Sequence, residues 1–360
     1  MRAGTYPERV PIDSPASLAA IGSRVATRID ALLDAEQRRW VEVDADLGEP
    51  IAALRALVAG GKRLRPAFCH WGFVGAGGDP EDPRLVDAGA AIELLHVMAL
   101  VHDDIMDGSA RRHGQTCLHV DFAARHATRA WRGDARRFGD GAAILIGDLA
   151  FVYADQLLQG APPAVAEVFT ELRLEVNIGQ YLDLLGTASR NASPEQARTI
   201  AVYKSGKYTV ERPLQLGAAL AGRLDDLAKS YTAYGIPLGE AFQLRDDLLG
   251  AFGDDDRLGK GVGEDLRDGK PTLLYALARA RALGDDARLL ETHVGQPSLG
   301  TAEIAEVQRI MVETGAKADV EAAIDALMTE ALAALADAPV TEQARRELHT
   351  LALFVAGRDF

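Results

Sequence analysis

Ile92-Glu93-Leu94-Leu95-His96-Val97-Met98-Ala99-Leu100-Val101-His102-Asp103-Asp104-Ile105-Met106-Asp107 decides how this chain folds. From Ile92 to Val101 only Glu93 and His96 are polar. The run lacks period-two alternation, so it reads as a helix, and one this apolar is buried. Carboxylates at the end of a buried helix are costly unless something positive neutralises them. Asp103 and Asp107 are four apart and share a face; Asp104 points about 100° away. Oxygen-only ligands suit a hard cation, Mg²⁺ before Zn²⁺. An ordinary solvated acidic face is the alternative for an isolated run of this kind, and the apolar sequence upstream argues against it.

Working outward, a second acidic segment follows far downstream: Gln243-Leu244-Arg245-Asp246-Asp247-Leu248-Leu249-Gly250. Gln243 lies one turn before Asp247. Gly253-Asp254, Gly259-Lys260 and Asp265-Leu266-Arg267-Asp268-Gly269-Lys270-Pro271-Thr272 come next. Lysines on glycine-rich loops beside metal carboxylates suit a bound diphosphate. Basic residues also flank the first cluster, at Arg111 and Arg112, and in Gly60-Gly61-Lys62-Arg63-Leu64-Arg65-Pro66. Lys62 and Arg65 are three apart and can converge on one diphosphate, Arg with a fork and Lys with a point charge. His96 is two turns up the helix from Asp103; a lone core histidine is the bland reading, and a phosphate donor the better one beside a second anion site. Gln180 and Asp183, three apart, and Tyr203-Lys204-Ser205-Gly206-Lys207 add polar helix faces.

The rest of the 360 residues reads as helix nearly throughout, in segments 14–44, 47–58, 64–76, 84–107, 115–129, 137–159, 162–187, 194–207, 208–220, 226–252, 271–283, 285–294, 301–314, 316–337 and 341–356. Ser14-Pro15 and Ser193-Pro194 look like helix starts, Ser193 with Gln196 as a capping box and Thr301 with Glu303 more loosely. No linker splits the chain, so residues 1–360 read as one domain with a flexible lead over 1–13. The basic stretch Arg125–Arg137 reads as solvated surface. A net charge of −14 and a pI near 5.1 argue against nucleic-acid and anionic-membrane partners. Two cysteines, no signal-type leader and no apolar run of about 20 residues imply a cytoplasmic protein without a membrane segment.

Taken in order, GGKRLRP, ELLHxxxLxHDDxxD, RR, GQxxDL, KS, FQxxDD and GKxT resemble the trans-isoprenyl diphosphate synthases, the polyprenyl synthetase family, from about residue 55 onward. KSGKYTVERPL, WRGDARRFG and DDLLGAFGD look most like bacterial geranylgeranyl diphosphate synthases. The resemblance implies an all-α isoprenoid synthase fold, long antiparallel helices around a central active-site cavity, in a homodimer. It implies isopentenyl diphosphate and an allylic diphosphate as substrates, with Mg²⁺, three ions to a site. Asp103, Asp107 and Asp246 would bind metal directly, with Asp104 and Asp247 supporting. Arg111, Lys204, Ser205, Gln243, Lys260 and Lys270 would hold the allylic diphosphate; Lys62, Arg65, His96 and Arg112 would hold isopentenyl diphosphate. Ser205 stands where the family commonly has Thr. Gly250 stands where the second motif often has a third aspartate, and Asp254 is the nearest downstream carboxylate to make up the loss.

Leu94, Leu95, Met98 and Ala99 would line the growing chain. With no aromatic plug among them, a product longer than farnesyl is expected, the twenty-carbon geranylgeranyl chain first, with farnesyl and longer polyprenyl products as alternatives. A class I terpene cyclase would share the fold but needs no second diphosphate site. A non-catalytic subunit of a heteromeric synthase has only Gly250 in its favour.

Overall fold

A computed structural model describes residues 14–112, 114–253 and 263–357. The expectations for residues 1–13, Asp254, Gly259 and Lys260 lie outside them. The order is α1 (Ala16–Val41), α2 (Gly48–Val58), α3 (Leu64–Gly75), α4 (Pro83–Asp107), β1 (Arg111–Arg112), β2 (Gln115–Thr116), α5 (Leu118–Thr128), α6 (Ala135–Leu157), α7 (Pro163–Ser189) and α8 (Pro194–Ile200). A π-helix over Ala201–Glu211 runs on without a break into α9 (Arg212–Leu220) and is followed by α10 (Leu224–Phe252). Then come α11 (Glu264–Asp268), α12 (Leu273–Arg281), α13 (Gly284–His293), α14 (Thr301–Glu313), α15 (Ala316–Asp337) and α16 (Glu342–Ala356).

Local chemistry sets several of these ends. The Asp82 side chain accepts from the Arg84 N–H and Pro83 opens α4. Gly108, at φ 65°, closes it directly after Asp107. Ser193 and Gln196 form the full capping box on α8. Two expected caps are corrected. Helix α1 starts after Pro15 with no side-chain cap, and α14 starts after Gly300, again without one. Residues 115–116, expected in a helix, pair instead with Arg111–Arg112 as an antiparallel ribbon, Arg111 opposite Thr116. Strands of two residues are too short to show alternation in sequence.

Two apolar clusters form the interior. The larger gathers α1 to α7, the π-helix, α9, the first part of α10, the end of α15 and α16, around Phe68, Phe73, Ile92, Leu94, Leu95, Tyr231 and Tyr234. The smaller packs Leu244 and Leu248 of α10 against α12 to α15. Helix α10 therefore runs through both. Helix α4 is long and apolar enough to cross a membrane by composition, a feature that counting uninterrupted apolar residues had not revealed. Its flanks are instead filled by protein, with Ile92, Leu94 and Leu95 fully buried. Cys69 and Cys117 are free and buried. Arg125 and Arg129 lie on the surface against Glu49.

Candidate active site

Helix α4 delivers its aspartates into a ring of cations. Asp103 Oδ1 accepts from Gln180 Nε2 on α7 (2.8 Å) and from Lys204 Nζ on the π-helix (3.0 Å). Lys204 Nζ also donates to Asp183 Oδ2 of α7 at 2.6 Å. Arg112 forks across the motif, Nη2 to Asp103 Oδ2 (3.0 Å) and Nε to Asp104 Oδ1 (2.6 Å). Asp107 Oδ2 is buried, accepts no well-formed hydrogen bond, and lies 3.3 Å from Lys270 Nζ. Lys270 Nζ is 3.5 Å from Asp265 Oδ1, so one ammonium joins the first acidic segment to the far side of the site.

Glycines explain how the π-helix comes so close. A Cβ on Gly179 of α7 would sit 2.3 Å from the Lys204 nitrogen, and one on Gly239 of α10 would sit 2.4 Å from the Gly206 Cα. Backbone-to-backbone contact on both sides packs the π-helix between α7 and α10. The i→i+5 bonding, carried on by the Arg212 N–H to the Lys207 carbonyl, is rare over 11 residues and typical of functional sites.

On α10, Gln243 Nε2 donates to Asp247 Oδ1 at 2.7 Å, as their one-turn spacing suggests. Asp246 is half-buried at the same helix end. Gly250 has a neighbour that sequence did not reveal: a Cβ built there would lie 2.1 Å from Asp265 Oδ2. The Gly263 N–H donates to the Gly250 carbonyl at 3.1 Å, which draws α11 and its aspartate in. The carboxylate absent from position 250 is thus supplied to the same space by Asp265.

Charge here is not balanced by protein alone. Burial opposes ionisation of Asp103, but Lys204, Lys270 and Arg112 hold its carboxyl well below the usual range. Asp107 is raised by burial, with Asp103 adding to the effect and Lys270 opposing it. Asp247 is pushed up to about 8, by burial first, then by the Asp265 charge. Lys204 and Lys270 stay charged despite burial because Asp183 and Asp103, and Asp265 and Asp107, surround them. The residues fit a hard divalent cation: their donors are all oxygen, they are in anionic excess, and Asp107 Oδ2 lacks a hydrogen-bond donor. Among the described residues no three His, Cys, Asp or Glu side chains converge into a complete cage. That suits Mg²⁺, which is held by one or two carboxylates plus substrate phosphates and water.

A second cationic group lies beside the first. The Arg65 guanidinium stacks 4.3 Å over the Tyr208 ring, and its Nε is buried without a hydrogen-bond partner. His96 Nδ1 is 2.9 Å from the Tyr208 hydroxyl. Lys62 is exposed at the loop before α3. Tyr208, four residues after Lys204 within KSGKYTVERPL, has no role assigned from sequence and joins His96 to Arg65 here. Arg112 lies on Asp103 and Asp104 rather than beside Lys62, and Arg111 is exposed, bonded to the Gly114 carbonyl. Ser205 is half-buried next to Lys204. Leu94 and Leu95 are fully buried in the main core, Met98 is nearly so, and Ala99 is half-buried.

The family model described as Polyprenyl synthetase matches residues 51–311. The chain belongs to the polyprenyl synthetase family. It is a trans-prenyl diphosphate synthase with the isoprenoid synthase fold. A nonaprenyl diphosphate synthase of Mycobacterium tuberculosis is 30% identical over 345 residues, 94% of each chain. Heptaprenyl diphosphate synthase component 2 of Geobacillus stearothermophilus is 30% identical, over 92% of this synthase and 96% of that protein. The crystal structure of a geranylgeranyl pyrophosphate synthase from Corynebacterium glutamicum, complexed with isoprenyl diphosphate and magnesium, superposes with a TM-score of 0.90. It is 35% identical and covers 95% of this synthase and 99% of that chain.

Proposed function

We propose that this synthase condenses isopentenyl diphosphate with an allylic diphosphate and releases diphosphate, with the twenty-carbon geranylgeranyl diphosphate as product. One observation carries the reading: Asp107 and Asp265 share Lys270, while Arg65 and His96 meet separately on Tyr208. The first assembly suits a diphosphate that leaves, the second a diphosphate that stays. Mg²⁺, held by Asp103, Asp107 and Asp246 with Asp104 and Asp247 behind them, would neutralise the charge that develops on the leaving group. Lys204 and Lys270 add fixed positive charge to that diphosphate, and Arg111, Ser205, Gln243 and Lys260 complete its hold. Arg112 orients Asp103 and Asp104. As the allylic C–O bond breaks, the isopentenyl double bond forms the new C–C bond, and a proton leaves with the departing diphosphate. The buried surroundings keep water from the cation.

Product length is assigned to buried Met98 and half-buried Ala99, one turn before Asp103 on α4. Flexible Met98 and small Ala99 favour a long product without a rigid stop. An exposed apolar stripe on α6 and α7 supports a homodimer: Leu145 (65% exposed), Val152, Leu174 (55%), Ile178, Tyr181 (64%) and Leu185. Helix α10, shared by both apolar clusters, favours one domain. Free buried cysteines agree with a cytoplasmic location.

The test is an assay of purified protein with labelled isopentenyl diphosphate and dimethylallyl, geranyl or farnesyl diphosphate, with and without Mg²⁺. Condensation that depends on both the primer and Mg²⁺ is expected. Asp103→Ala and Asp246→Ala should each lose about 100-fold or more in kcat while melting near wild type. Near-normal turnover in either variant removes the metal-holding assignment. Consumption of the allylic substrate alone points to a cyclase.

A further inference from the structure

Arg63 stands between Lys62 and Arg65, and the chemistry above gives it no task. Its backbone is left-handed, at φ 54°, a costly conformation for a residue with a Cβ. Its side chain is buried rather than turned to solvent. Nη1 donates to Glu93 Oε1, and Nη2 donates to the Val58 carbonyl at the end of α2. Helix α1 leaves room for it at Gly22, where a Cβ would lie 3.0 Å from the Arg63 Cγ. Glu93 is itself buried on α4, one turn before His96.

A buried ion pair of this kind adds little net stability over an apolar pair of the same size. What it supplies is geometry. Glu93 fixes the loop to the stretch of α4 that carries His96. His96 meets the Tyr208 hydroxyl, and Arg65 stacks on the same ring with Nε unsatisfied. We propose that Arg63, locked by Glu93, is a positioning residue for the isopentenyl diphosphate subsite. It sets the loop so that Lys62 and Arg65 converge with His96 on one diphosphate. This rests on the function proposed above.

The experiment uses Arg63→Lys, which keeps the charge and loses the fork, and Glu93→Gln, which keeps the shape and weakens the lock. Steady-state kinetics are read for each substrate, with calorimetric binding of isopentenyl diphosphate alone and a melting curve. Each variant is expected to raise the KM for isopentenyl diphosphate about tenfold and weaken its binding in step, with kcat and the allylic KM within about threefold of wild type. An unchanged KM for isopentenyl diphosphate, both KM values moving together, or a fall in kcat alone overturns it, the last being the mark of a smaller folded fraction. If Arg63→Lys does not fold, Glu93→Gln is read by the same criteria. Wild-type protein that binds isopentenyl diphosphate but never condenses it refutes the proposed reaction, and the binding comparison still decides the role of Arg63.

Discussion

At position 250 a side chain and the Asp265 carboxylate would compete for the same space. Restoring an aspartate there repairs the sequence motif and damages the site. Gly250→Asp sets two carboxylates against each other and pulls Asp265 from Lys270, so kcat should fall about tenfold or more. Asp265→Gly added to that variant should recover most of the loss, measured as turnover across a Mg²⁺ titration. His70 gives a pH prediction away from the chemistry. Burial, with Arg24 adding to it, lowers its pKa to about 4 from the ordinary 6.5. Below 6.5 the unfolded chain takes up a proton that the folded chain refuses. The stabilisation is therefore full above pH 6.5 and is lost as pH falls toward 4, by up to about 3 kcal/mol. His70→Gln should show a shallower fall in melting temperature over that range, and a parallel curve would remove His70 as a source. At this scale sequence revealed types and spacings: Asp103 and Asp107 on one face, Gln243 on Asp247. It did not reveal that Asp265 fills the gap at Gly250 or that Tyr208 joins His96 to Arg65. Those contacts join residues far apart in the chain, and no local pattern encodes them.

Among the elements, α4 was the most legible because one buried run carries its whole character. Its end at Gly108 follows from the same stretch. Short pieces were not legible: the ribbon at 111–116 has two residues per strand, and α11 has five residues between two glycines. The π-helix was read as two α-helices meeting at 207–208; its close packing on α7 and α10 through Gly179 and Gly239 involves residues elsewhere in the chain. Helix α4 also carries the prediction on product length. Met98→Ala removes a flexible side chain near the site, so chromatography of the dephosphorylated products should show a shift beyond twenty carbons. Products of unchanged length would assign the limit to another element.

For the whole molecule, the apolar stripe on α6 and α7 is the feature a lone chain explains least. Leu145→Asp with Leu174→Asp should convert a dimer to monomer in light scattering at micromolar concentration, with helicity unchanged. A monomeric wild type would remove the homodimer. The all-α architecture was legible because helical periodicity persists across the chain; the gathering of its two cores along α10 was not, because that depends on which faces meet. The rod formed by α8, the π-helix and α9 has a further consequence. It stores surplus backbone inside a helix, without a bulging loop. Removing one residue from it would leave the rod intact and turn everything beyond by about 100°. Lys204 could not then keep Asp103 and Asp183 while Arg212 kept Glu175. Along this rod the number of residues is itself a functional quantity, independent of which residues they are.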